Sequence, residues 1–207
     1  MSRSTLAVIL AVVVSVVATV VVIVAFNAAD VSPTAVRVNG DTVSQGDLNS
    51  ELSDFADSNF FAAPYAQAQP PATFKVSNGA LSSLAGAQWL GYRVESLLAG
   101  QALDRRGGSV TQKNLDQART ALRKQGVLDG MSGSASDEIT RLQATLSKLV
   151  TVTGSQNAAR RAVQKAARAA HVTIDERYGE WSAKKLGVCP RASCARAVSV
   201  VPPASQT

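Results

Sequence analysis

Apolar positions in this chain fall into three patterns, and the first is continuous. From Leu6 to Phe26 the sequence runs 21 residues without a charge: 15 are Leu, Ile, Val or Phe, four are Ala, and the other two are Ser15 and Thr19. As a helix rising about 1.5 Å per residue this segment is about 31 Å long, which matches a hydrocarbon core of about 30 Å and exceeds the roughly 7–15 residues of a signal h-region. Arg3 precedes it and Asp30 is the first charge after it. Residues 6–26 therefore read as a retained anchor, with the N-terminus in the cytoplasm and the rest extracytoplasmic. Cleavage as a signal peptide is the alternative, and it leaves the remaining chain in the same compartment, secreted.

The second pattern is alternation. Ala35-Val36-Arg37-Val38-Asn39-Gly40-Asp41-Thr42-Val43 alternates around an Asn-Gly pair, which supplies the positive φ of a tight turn, so a hairpin is predicted. Ser44 and Asp47 then have the spacing of an N-cap and a third-position acid before Leu48, Leu52 and Phe55. Val172-Thr173-Ile174 alternates again. An isolated hairpin is marginal in water, so this last strand is expected to pair with the first hairpin.

The third pattern is helical periodicity. It marks one long helix from Leu81 to Leu103 ending at Gly107-Gly108, and a second from Ser109 or Thr111 to near Gly126. A third is expected after a Ser134-to-Asp137 cap, and a fourth from Gln156 to Ala170. Between Ser58 and Thr73 no period exists, and Pro64, Pro70 and Pro71 predict a long connection instead of a helix. From Ser182 to Thr207 no period exists either, and a flexible tail is expected. The fold class is thus mainly α with a small β element.

Composition adds limits. With 207 residues, 46% hydrophobic and 17% charged, about 180 residues remain beyond the apolar segment, enough for one packed domain. Cys189 and Cys194 enclose four residues, and an oxidising exterior would allow them to close a small disulfide loop; His171 is the only histidine, which leaves a zinc site without ligands. P-loop, GxSxG, HExxH and dinucleotide signatures are lacking, so no catalytic residue, metal or cofactor is expected. Arg160, Arg161, Lys165 and Arg168 give the fourth helix a basic side, read as a solvated face with membrane docking as the alternative, and nucleic acid is not an expected partner outside the cytoplasm.

Three segments carry a family resemblance. Val36 to Leu48 resembles the "VNG-x-x-I/V-S/T-x-x-D/E-hydrophobic" opening of the SurA and PrsA group of extracytoplasmic foldases. Gln101 to Ala118 resembles that group's helix, glycine break and following "V-T/S" helix, and Ala169 to Trp181 is similar to the "V-x-V-D-x-RYG-x-W" close of SurA N-terminal-like proteins. The resemblance implies a chaperone module without the parvulin domain, hence no prolyl isomerase site, although isomerase activity is the third reading. It implies a holdase or foldase for unfolded or nascent exported proteins. The other class is a non-catalytic adaptor or structural subunit of an envelope complex.

The expected organisation is a cytoplasmic stub and transmembrane anchor over residues 1–27, a linker over 28–34, a SurA N-terminal-like domain over 35–181 and a tail over 182–207. Client contact is expected at Phe60, Phe61, Tyr65, Trp89, Leu90 and Tyr92, while Asn39, Gly40, Ser44, Asp47, Arg177, Tyr178 and Trp181 are expected to hold the domain together.

Overall fold

The structure, a computed structural model, describes residues 33–67, 72–75, 80–131 and 133–189. The chain divides into two compact units, Met1–Pro33 and Thr34–Thr207. The expected anchor at Leu6–Phe26, most of the linker, Cys194 and the tail beyond Cys189 lie outside the described residues. Among the described residues no helix is long and apolar enough to cross a membrane.

The fold is mainly helical with two small antiparallel sheets. β1 (Thr34–Val38) and β2 (Asp41–Ser44) form the predicted hairpin, with Asn39 at φ 56° in the turn. Asn39 is one of the few residue types that tolerates this left-handed conformation. Its side chain also joins three parts of the fold, since Nδ2 donates to Gln101 Oε1 at 2.6 Å and Oδ1 accepts from the His171 backbone N–H at 3.0 Å. β3 (Val172–Ile174) pairs antiparallel with β1, Val38 opposite Val172 and Val36 opposite Ile174, giving the order β2-β1-β3. β1 and β3, far apart along the chain, meet in one sheet, as the alternation predicts.

Helix α1 (Gln45–Ala56) begins at Ser44, whose Oγ accepts from the Asp47 N–H at 3.1 Å, and it buries Leu48, Leu52 and Phe55. The expected connection after Ser58 is instead broken by a short helix α2 (Asn59–Ala66) that contains Pro64. Proline removes a single i→i−4 bond there, and the compensation is tertiary. Phe61 is buried with its ring 5.2 Å from Phe55, and half-buried Phe60 and Tyr65 pack on the same cluster. Burial of aromatic area outweighs one lost hydrogen bond.

Helix α3 (Ser83–Asp104) is the axis of the domain and packs against α1, β1, α5, α6 and β5, the last three defined below. It ends as predicted, with Gly108 N–H donating to Leu103 O and Gly107 N–H to Asp104 O. Helix α4 (Gln112–Lys124) starts at Thr111 through a reciprocal capping box with Asn114. Helix α5 (Gly133–Thr153) departs from expectation at its start: it begins before Ser134, so that serine lies in the first turn, and Asp137 accepts a hydrogen bond from Arg119 Nη2 at 2.7 Å across to α4. Helix α6 (Gln156–Ala169) is capped by Ser155 and packs its alanine side on α3 and α5.

The expected boundary at Trp181 does not hold. β4 (Glu180–Ser182) and β5 (Gly187–Cys189) form a second hairpin that packs on α3, with Val188 and Cys189 buried. The stretch is too short and irregular to show a period, yet its last two apolar residues complete the core. Cys189 is therefore a core residue of the domain, while its expected bridge to Cys194 falls outside the described residues.

Candidate functional site

Four of the six residues expected to contact clients are buried. Trp89 and Leu90 are 0% exposed, Phe61 4% and Tyr92 6%. Phe55 is the hub of the ring cluster, its centroid 5.0 Å from Trp89, 5.1 Å from Phe74 and 6.1 Å from Tyr92. Tyr65 donates its hydroxyl to Gln88 Oε1 at 2.6 Å. Rings at this spacing stabilise one another inside a core, so Phe61, Trp89, Leu90 and Tyr92 are corrected from client contacts to packing residues. Only Phe60 and Tyr65 keep partial exposure.

Beneath this cluster lies an ionic network that apolar periodicity alone does not reveal. Trp89 Nε1 donates to Glu51 Oε2 at 2.8 Å, Arg93 Nε approaches the same oxygen at 3.2 Å, and Arg93 Nη1 pairs with Glu138, which also holds Arg141 at 2.9 Å. Burial, opposed by Arg93, pushes the Glu51 carboxyl above its ordinary value. Glu51 shares the helical face of Leu48, Leu52 and Phe55, and that polar interruption of an apolar face was the signal in the sequence. The network fastens α1, α3 and α5 to one another.

An open site exists elsewhere. A cavity of about 500 Å³ is lined by the end of α6, β3, the turn after it and the start of the β4–β5 hairpin. Its walls include Arg168, His171, Val172, Ile174, Glu176 and Trp181. The turn is held rigidly: Arg177 Nε and Nη2 donate to the two Asp175 oxygens at 3.0 and 2.9 Å, and these bonds hold the Asp175 carboxyl below its ordinary value. Gln45 Nε2 donates to Asp175 Oδ2 at 3.2 Å, and Tyr178 donates its hydroxyl to Gln45 Oε1 at 2.8 Å. Tyr178 lies over Gly86, where a Cβ would stand 3.3 Å from the ring. Tyr178 thus ties the turn to α1 and α3 directly, and Arg177 acts on it only through Asp175.

Two features give the cavity a chemical direction. β3 is the outer strand of its sheet. Asn39 N–H donates to His171 O and Asp175 N–H to Ala35 O, so Thr173 is the residue of β3 whose backbone bonds to β1. Val172 and Ile174 direct their N–H and C=O groups the other way, and both line the cavity. Trp181 is the second feature, because its buried Nε1–H has no hydrogen-bond acceptor among the described residues.

The chain matches no family model, no curated protein and no solved structure. An unpaired strand edge offers alternating donors and acceptors to an extended backbone, and a half-buried indole beside it offers apolar area.

Proposed function

We propose that this chain is a membrane-anchored extracytoplasmic chaperone that holds unfolded exported polypeptides, with the module built as in SurA N-terminal-like proteins and without prolyl isomerase chemistry. The observation that carries the proposal is the open β3 edge beside the Trp181 cavity. Extended polypeptide can add to such an edge by main-chain hydrogen bonds, which are independent of sequence, while the cavity accepts one apolar side chain. That division suits a holdase, whose clients share a backbone and little else. Further support comes from the resemblance: its first and last segments carry the paired strands β1 and β3, and Asn39 and Gln101 link the first to the second. The apolar segment 6–26 supplies the anchor and the compartment in this reading.

The test is aggregation of chemically unfolded secreted proteins, followed by light scattering, with the full chain held in nanodiscs and no nucleotide. Suppression near equimolar ratio for unrelated clients, weakened severalfold by Trp181→Ala while Phe60→Ala changes little, is the expected result. No suppression with any client removes the holdase reading and leaves a dedicated envelope partner as the better one.

A further inference from the structure

The basic side of α6 has a use that client holding does not explain. Arg160, Arg161, Lys165 and Arg168 are all exposed, while Ala159, Ala162, Val163, Ala166 and Ala167 on the opposite side are buried. Spaced at 100° per residue, the four cations occupy one contiguous face with Asn157 and Gln164 between them. No acidic residue occurs between Glu138 and Asp175. Ion pairs elsewhere in the domain engage Lys75, Arg93, Arg119, Arg141 and Arg177, whereas none among the described residues engages a cation of α6. Half-buried Glu95 on α3 feels the charge of Arg160 without an ion-pair contact. The field of this face therefore points outward nearly uncompensated.

We infer that the exposed face of α6 docks the domain onto the anionic phospholipid surface of the membrane in which residues 6–26 are anchored. The inference rests on the anchored reading proposed above. Only seven residues, 27–33, separate Phe26 from Thr34, and fully extended they reach about 25 Å. The tether thus keeps the domain within reach of lipid phosphates at high effective concentration, and each basic residue near an anionic surface adds about 1 kcal/mol. A membrane is favoured over an acidic polypeptide because the face is a row of long cations along a single helix, of which Arg168 alone borders the Trp181 cavity. Arg168 also lines the Trp181 cavity, so docking would set the client site close to the bilayer.

The two tryptophans, Trp89 and Trp181, report on this without a label on the protein, and Trp181 shares a cavity wall with the end of α6. Full chain is reconstituted in vesicles of phosphatidylcholine, with or without about one third phosphatidylglycerol, and energy transfer from tryptophan to a dansyl-headgroup lipid is measured. Transfer should rise on anionic vesicles, fall as salt is added, and be lost in a variant with Arg160, Arg161, Lys165 and Arg168 all changed to Gln. The docked-to-undocked ratio should change about tenfold or more. Changing Arg105, Arg106, Arg123 and Lys124 to Gln should leave it in place. Equal transfer on both lipids, or salt-insensitive transfer by the unaltered chain, overturns the inference whether or not the variant folds. Polyglutamate binding lost in the α6 variant, with no response to phosphatidylglycerol, assigns the face to an acidic polypeptide and also overturns it. Failure of the chain to float with vesicles refutes the anchor, and failure to suppress client aggregation refutes only the holdase, so each failure is distinct.

Discussion

Single side chains decide how the end of the domain is fixed. Tyr178 reaches from the turn after β3 to α1 and α3, donating to Gln45 and covering Gly86. Tyr178→Phe should cost about 1 kcal/mol, the net worth of one hydrogen bond, and Tyr178→Ala should cost clearly more because the ring contact goes too; thermal melts of the two variants separate the contributions. The buried carboxylates make a second prediction. Burial raises Glu51 and Glu95 above their ordinary value of 4.5, so the stability they contribute is complete below that value and is lost as pH rises through the raised values. Asp175 works the other way: its stabilisation is present above 3.8 and is lost as pH falls through its lowered value. The melting temperature should therefore be higher near about pH 5 than at neutrality and fall again in stronger acid, and Glu51→Gln should flatten the first of these changes. A melting temperature that falls steadily from neutrality would show that the buried pairs are not titrating as described. Arg177 and Tyr178 stand in the RYG segment of the resemblance, directly after β3, and of the two Tyr178 reaches the helices while Arg177 bonds Asp175. Client contacts at Trp89 and Tyr92 were misread because helical spacing marks a buried face without saying whether a groove opens beside it.

At the scale of elements, the helices and strands with strong periodicity and chemical punctuation were legible. Thr111 and Ser44 cap the helices that follow them, and the glycines at 107 and 126 stand just past the ends of α3 and α4. What was not legible depended on distant packing. Helix α2 forms around Pro64 because Phe61 is drawn under Phe55, and no local rule expresses that. The loop between α4 and α5 holds a similar long-range constraint, for Gly130 sits at φ 76° with a Cβ position only 2.8 Å from the backbone oxygen of Asp57 at the end of α1. Gly130→Ala must relieve both the left-handed strain and a contact with backbone that cannot rotate away, so a loss of about 1–3 kcal/mol in chemical denaturation is expected. Gly154→Ala, with φ 80° but open space around it, should lose less. Equal losses at the two sites would mean that the Asp57 approach is immaterial.

For the whole molecule, the expected domain end at Trp181 was eight residues short of the last core residue described. Truncation after Ser182 removes Val188 and Cys189 from their packing on α3, and it should lower the melting temperature by several degrees or more, where removal of a free tail would leave it unchanged. The sheet has a different kind of consequence. β1 and β2 are made first, but the partner of β1 on its other side, β3, lies more than a hundred residues later. Such non-local pairing raises the contact order and slows folding, since loop closure must precede any reward from the pairing. At about 5–20 residues per second, the hairpin would emerge on the order of ten seconds before its partner. During that interval the free edge of β1 can accept a β3 strand from a neighbouring copy as readily as its own. Crowded synthesis should therefore favour strand-exchanged dimers, and dilution during refolding should favour the monomer.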